Sequence, residues 1–562
     1  SLKMMSKSRR FILNITAFTS AFFSHTTNSL ILGESNKVVV VGGGPVGLAT
    51  AITLSQGYGC DVTVVEQAPK TSGYDPVKAY LYLVNPRGQI WTKRFPRVQE
   101  LLEERGTLNT GMGNFVVVPA DPSKPIPDKI PAASGEASYW IPRHMMVDLL
   151  ETVIQEQEEK RLASNKCIGS VQILPCKQCL SLTSLENGQI RVTVLDTVDP
   201  KVRFEQSFVA DLVVGADGMN SAVRNFLSNP PPEADDDWLT QTPNKFRTHT
   251  WKSAASGLRM KVLQFPPAFK IGSTTTDSET IYAIRSVNTK PLNYISLGLL
   301  PVKDPTMVRP TNVITRKNHE LWKLKDGMET KQWFQKAFPL LDFNSLIDDK
   351  EWERFSAALG TTFPNCQYCA GMQVTHPSGN SGVVLVGDAI HAFPPDIGQG
   401  INAGLADVEA LDRALSGKDI ITGNEQESVK KPKNLAQSLK AYQKARVPEI
   451  KALIRLSRFG SPYQYRQPLY RDKIGRTLWS LNVALRLLLN KISRGKIPPA
   501  AIMMAMDRTK TYRQVMINAD MVSLFLWSVI GLSLHKIGGT IALYFGGLAS
   551  LALWMLTYWF GK

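Results

Sequence analysis

Three apolar runs, far apart in the chain, each end in a glycine-marked turn, and together they restrict the fold more than any bulk property. The first is Val38-Val-Val-Val41 with Gly42-Gly-Gly44-Pro-Val-Gly47 behind it. The second is Leu212-Val-Val-Gly215, followed by Ala216-Asp217-Gly218, Ser221 and Arg224. The third is Gly382-Val-Val-Leu-Val386, followed by Gly387-Asp388, His391, Pro395 and Gly398-Gln399-Gly400. The valine run at 37–41 reads as a buried strand, with a helix opening at Pro45 and a second strand at 61–66, a βαβ unit.

The spacing Gly42-x-Gly44-x-x-Gly47 at that strand–helix junction has a physical reading. The first glycine allows a tight turn, the second lets backbone approach a pyrophosphate, and the third lets helix and strand pack closely. The helix N-terminus presents free N–H groups to the diphosphate. Glu66 stands where a carboxylate accepts hydrogen bonds from ribose hydroxyls. A carboxylate there repels a 2′-phosphate, so the site suits FAD or NAD over NADP. By itself this motif indicates a dinucleotide and no more.

Taken in order, the three stretches resemble those of the single-component flavoprotein aromatic hydroxylases. The resemblance implies an α/β fold: a Rossmann-type FAD-binding domain with an interleaved β-sheet substrate domain, plus a C-terminal helical membrane region. It implies FAD as cofactor, NAD(P)H as co-substrate and molecular oxygen as the oxidant. Gly42, Gly44, Gly47 and Glu66 would hold the adenosine diphosphate half, and Gly387 and Asp388 the ribityl chain. Asp217 and Gly218 match a fingerprint tied to flavin and nicotinamide, and Arg143 and Lys78 match basic positions near the cofactor. Pro395, Gly398, Gln399 and Asn402 would lie at the flavin face, with Gly400 at the helix start, where a helix N-terminus stabilises negative charge on the reduced ring. His391 reads as structural.

Within that family the chain is similar to the kynurenine 3-monooxygenases over residues 36–450, through Gly398-Gln-Gly-Ile-Asn402-Ala-Gly404. It departs from them in one respect. No arginine occurs between Arg105 and Arg143, and 111–118 reads Gly-Met-Gly-Asn-Phe-Val-Val-Val where a carboxylate clamp is expected. Ala500-Ala-Ile-Met-Met-Ala505 also stands where that subgroup has a tyrosine. Burying a carboxylate without a charged partner costs several kcal/mol. An aromatic or apolar small molecule is therefore expected in place of kynurenine. The competing readings are a membrane-bound flavin reductase or dehydrogenase of isoprenoid or quinone substrates, and a non-catalytic flavin-binding scaffold.

At 562 residues the chain exceeds one core. The expected organisation is a targeting leader at 1–35, an FAD-binding domain from 36–75, 140–235 and 366–450, a substrate domain from 76–139 and 236–365, a basic helical region at 451–520, and a transmembrane anchor at 521–562. The net charge is +17. Ten Lys or Arg against two acids fall between Arg471 and Arg513, a surface for anionic lipid in front of an apolar C-terminus. There, Thr540–Phe560 is free of charge and long enough to span a bilayer. Met521–Leu534 reads as a shorter second apolar segment. A lipid bilayer is thus an expected partner, and nucleic acid is not, since no binding module accompanies the charge. Lys7, Arg9 and Arg10 before an apolar run resemble a secretory or plastid leader, with the mitochondrial outer membrane as the alternative destination. Six cysteines include two Cys-x-x-Cys pairs, at 176/179 and 366/369. Ordinary buried thiols, with no metal, are expected of them.

Overall fold

A computed structural model describes residues 32, 36–69, 80–110, 114–128, 136–163, 169–199, 201–230, 237–288, 290, 293–420, 432–462, 465, 470–526, 528, 529 and 532. The three apolar runs become neighbouring strands of one six-stranded sheet. Its order is Gln373–Thr375, Gly382–Leu385, Leu212–Gly215, Lys37–Val41, Asp61–Val65 and Val171–Leu174. All pairs are parallel except the Gln373–Thr375 edge. Val39 sits opposite both Val213 and Thr63, and Val213 opposite Val383. Helices Pro45–Tyr58 and Leu435–Phe459 pack on this sheet, Arg143–Ala163 and Gly400–Ser416 pack against Pro45–Tyr58, and the strands Lys177–Ser184 and Phe204–Ala210 of a three-stranded sheet also contact the six-stranded one. Cover on both faces explains why these strands are almost continuously apolar.

The second six-stranded sheet runs Thr361–Thr362, Arg259–Phe265, Arg309–Thr315, Ser296–Leu299, Ile281–Arg285 and Phe115–Val118. It is antiparallel apart from the last pair. Side chains alternate between its faces. Val116, Val118, Tyr282, Ile284, Leu297, Leu299 and Val313 enter a core shared with Phe334, Phe338, Phe343, Trp352 and Phe355. The last five come from helices Gly327–Ala337 and Asp349–Ala357 and the turns beside them.

Glu320–Lys323 forms a 3-10 turn in which His319 Nδ1 accepts from the Leu321 N–H at 3.1 Å. The boundary at 76 is displaced: Val84, Trp91, Val98, Leu101 and Leu102 are buried in the cofactor-domain core, as are Trp238, Leu239 and Phe246. Among the described residues of 76–139, only Phe115–Val118 joins the second sheet. Trp91 fixes the first stretch, donating from its indole to Thr53 Oγ1 at 2.9 Å.

Leu32, inside the expected leader, is buried in the same core, and the rest of that leader lies outside the described residues. So does Thr540–Phe560. Met521 does not begin a separate segment but continues a helix from residue 512 to 526. Among the described residues no helix is long and apolar enough to cross a membrane.

Candidate functional site

Each glycine motif forms a loop at the C-terminal end of a parallel strand, the edge where such sheets open a ligand crevice. Gly42 has φ +107°, and a Cβ there would lie 2.5 Å from the Ala216 carbonyl oxygen. A Cβ on Gly47 would lie 1.9 Å from the Gly42 carbonyl oxygen. Gly44 is different. No atom lies within 4 Å of its would-be Cβ, and it lines a cavity over the start of the Pro45–Tyr58 helix. Glu66 receives the Gly43 N–H at 2.7 Å and the Ala68 N–H at 2.8 Å, which fixes the loop and leaves carboxylate lone pairs for a ribose.

Asp217 accepts from the N–H groups of Ala222 at 2.6 Å and Val223 at 3.2 Å, the start of the Ala222–Ser228 helix. Burial pushes its carboxyl above the ordinary range, with these bonds and Ser221 holding it back. Asp217 thus shapes the loop, while Gly218 and Met219 line the cavity. Arg224 donates to the carbonyls of Met219 at 2.6 Å and Ala389 at 2.7 Å. It therefore ties the second motif to the third.

Gly387 has φ +61°, and its N–H donates to Asp407 Oδ2 at 2.9 Å. His391 Nε2 donates to the same oxygen at 2.7 Å, and Arg446 holds the other one at 2.6 and 2.8 Å. All three side chains are buried. Burial opposes ionisation of Asp407, but Arg446 and then His391 outweigh it and hold its carboxyl below the usual range. His391 is thus a strut beneath the loop. Asp388 instead faces the cavity, where enclosure by protein raises its pKa, His391 lowers it and Asp407 raises it.

Pro395, Gly398 and Gly400 also line the cavity, but Gln399 and Asn402 do not, which corrects their placement at the flavin face. Asn402 Oδ1 accepts the Asn85 N–H at 2.9 Å, and its amide donates to Leu83 and Gly398 carbonyls at 2.8 and 3.0 Å. Gln399 Oε1 accepts from the Tyr512 hydroxyl at 2.7 Å and the Asn85 amide at 3.3 Å. Both are wholly buried, because their amides satisfy backbone and side-chain groups behind the loop. Arg87 stacks 4.3 Å over the Tyr512 ring and donates to the Ala505 carbonyl at 2.7 Å. The 500–512 segment is thereby docked against the loop's back. Asp396, beside Pro395, buries both carboxyl oxygens without a hydrogen-bond partner, and burial pushes its pKa up to about 8.

The cavity is continuous, about 1020 Å³ in volume. From Gly44, Pro45 and Val46 it passes Arg143, Asp388, Gly398 and Gly400 and ends on the open face of the second sheet. Phe115, Val117, Met260, Ile281, Ala283 and Ile314 make that face apolar. Arg285, Ser296 and Asn312 are polar members of it, with Thr361 and Thr362 on the edge strand. Ser296 is the cross-strand neighbour of Arg285, and Asn312 Oδ1 is buried without a partner. Sequence reasoning missed these three by searching 111–118 for a cation. Period-two alternation from Ile281 was the available signal, since it puts Arg285 on the face of Ala283. Arg476, Trp479 and Ser480 of the Tyr470–Ile492 helix close the far side.

Lys78 lies outside the described residues. Burial pushes the thiols of Cys60, Cys179 and Cys369 up to about 12 and that of Cys366 up to about 11. Among the described residues no group of three His, Cys, Asp or Glu could hold a metal ion.

The residues fit an FAD. The open space at Gly44 above a helix N-terminus has room for a diphosphate, and the cavity-facing Asp388 could accept hydrogen bonds from a polyol chain. Comparison with known proteins agrees with that fit. The FAD binding domain family matches residues 35–338 and 354–454. A kynurenine 3-monooxygenase of Emericella nidulans is 36% identical over 95 residues, 16% of this chain and 19% of that protein. An FAD-dependent monooxygenase of Penicillium canescens is 23% identical over 446 residues, 78% of this chain and 83% of that protein. The chain spans about a fifth of the length of the first of these relatives. Among solved structures, tetracycline destructase Tet(55) superposes with a TM-score of 0.49 at 16% identity, covering 80% of this chain and 96% of that one.

Proposed function

This chain belongs to the FAD binding domain family, and from that premise we propose that it is an FAD-dependent monooxygenase. It uses NAD(P)H and molecular oxygen to hydroxylate or epoxidise an aromatic or otherwise apolar small molecule. The observation that carries this reading is the continuity of one cavity from the Gly44 loop to the apolar face of the second sheet. Bound FAD supplies the redox chemistry. The chain's own residues bind and orient. The Gly44–Val46 backbone would hold the diphosphate and Asp388 the polyol chain, and the start of the Gly400–Ser416 helix would stabilise negative charge on the ring. Phe115, Val117, Met260, Ile281 and Ile314 exclude water from the reacting centre.

Arg285 refines the substrate class. It places a cation where the 111–118 stretch has none, with Ser296 and Asn312 beside it. An apolar body bearing one anionic or strongly polar group suits this wall better than a wholly apolar molecule. The uncharged Thr540–Phe560 stretch supports a bilayer anchor.

The test is a substrate panel on purified, flavin-loaded protein, following NADH or NADPH oxidation, oxygen uptake and isotope from labelled O2 in the product. One labelled oxygen atom per turnover sustains the proposal. Substrate turnover without oxygen uptake favours a reductase or dehydrogenase, and a protein that purifies and reconstitutes without flavin refutes both.

A further inference from the structure

The Tyr470–Ile492 helix serves two environments on opposite sides. On one side Arg476, Trp479 and Ser480 line the cavity, and Arg486 donates to the Ala519 carbonyl at 3.2 Å and Ser523 Oγ at 2.6 Å. On the other, Ile474, Leu478, Leu481, Leu485, Leu488 and Ile492 recur at alternating steps of four and three. At roughly 100° per residue these six fall within an arc of about 80°, facing away from Trp479 and Arg486. They are between 43% and 70% exposed. The adjoining helix at 512–526 adds Ile517, Met521, Leu524 and Phe525, which are also exposed. Single exposed leucines are ordinary on a soluble surface, but a stripe of six on one helix is not.

The charge around the stripe selects its occupant. Lys473, Lys491, Arg494 and Lys496 are exposed along or just beyond the helix. Of the nearby acids, Asp507 is paired with Lys510 and Asp520 with Arg455. An apolar stripe flanked by cations is complementary to an anionic phospholipid surface.

We propose that this helix lies in the interface of an anionic bilayer with its stripe among the acyl chains, and that the cavity is loaded from the lipid beside Trp479. The contact itself stands on the surface geometry alone; the loading rests on the monooxygenase reading. Because the same helix is cavity wall and lipid contact, the cavity lies about one helix diameter, ~10 Å, from the hydrocarbon. The substrate class that follows is a molecule that partitions into membranes.

The experiment uses the full chain in vesicles of phosphatidylcholine mixed equally with phosphatidylglycerol. Nitroxides at Leu481→Cys and Leu485→Cys report collision with oxygen or with a water-soluble nickel chelate, and Leu162→Cys, exposed on a cofactor-domain helix, is the control. Oxygen preference at 481 and 485 with chelate preference at 162 supports the lipid contact. Chelate preference at all three overturns it, and so does spin–spin broadening at 481 or 485, which would mean that a second copy covers the stripe. For loading, 4-nonylphenol is titrated against the bound-flavin spectrum. The Leu481→Glu, Leu485→Glu double variant should raise half-saturation about tenfold in vesicles and leave it unchanged in detergent micelles. Equal half-saturation in vesicles overturns the loading step. Failure to bind any flavin would sink the monooxygenase reading, while the nitroxide result would still decide the lipid contact.

Discussion

The two six-stranded sheets make opposite use of their faces. In the cofactor sheet both faces are buried and the chemistry sits at strand ends, where loops meet the crevice. In the substrate sheet one face is core and the other is itself the binding wall. A loop site built for a shared cofactor needs fixed glycines, whereas a sheet-face site needs only alternation and leaves each exposed position free to suit a particular substrate. Perturbations should therefore separate: changes at the first sheet remove the cofactor or the fold, and changes at the second alter selectivity with flavin retained.

The sharpest way to break that contrast is at the glycines. Gly47→Val drives side-chain atoms into the Gly42 carbonyl and should abolish both soluble expression and flavin content. At Gly44 no protein atom lies within 4 Å of an added Cβ, so Gly44→Val starts from open space. It should keep a near-native Tm and lose its flavin, read as the flavin-to-protein absorbance ratio. If Gly44→Val purifies fully loaded, the diphosphate is not bound there.

Next in size is the buried strut. Arg446→Met strips the buried Asp407 carboxylate of its guanidinium partner, leaving it the His391 and Gly387 hydrogen bonds, and should cost about 3–5 kcal/mol in denaturant unfolding. Replacing Asp407, His391 and Arg446 together by apolar residues should cost less than that single change, because no uncompensated charge remains.

Asp396 gives a smaller, pH-dependent effect. Its carboxyl is pushed up to about 8 from 3.8, so between those values the folded protein holds a proton that the unfolded chain has released. Stability therefore falls as pH rises from about 4 to about 8, then levels off. Asp396→Asn removes that dependence, and its advantage over wild type should grow across this window to on the order of a few kcal/mol. Parallel stability–pH curves for the two proteins would refute the buried, proton-holding assignment.

The smallest effect should fall on the second sheet. Arg285→Met should retain full flavin and raise KM roughly 10- to 100-fold for substrates carrying an anionic group, with little change for neutral ones. A loss of flavin in this variant would erase the distinction between the two sheets.

This division also explains what could be read from residues alone. The valine runs, the turn at Gly42 and the strand–loop–helix contexts of Asp217 and Asp388 were legible because local rules dictate them. Gln399 and Asn402 were misread because a motif conveys that a residue is needed, not whether it touches ligand or holds the loop that does. The bond from Arg446 to Asp407 and the docking of Tyr512 on Gln399 join residues 39 and 113 positions apart, and no local pattern marks either. Arg285 sat in an ordinary alternating strand, where only the identity of the core-facing side distinguishes wall from interior.

The interleaving of the cofactor sheet also bears on how the protein is made. Leu212–Gly215 pairs at once with the already synthesised Lys37–Val41 strand, but its other neighbour begins only at Gly382. At about 5–20 residues per second, roughly 170 residues of translation leave that valine-rich edge uncovered for some ten to thirty seconds. An apolar parallel edge is a template for wrong partners. The nascent chain should therefore be a client for chaperones throughout the synthesis of its substrate domain.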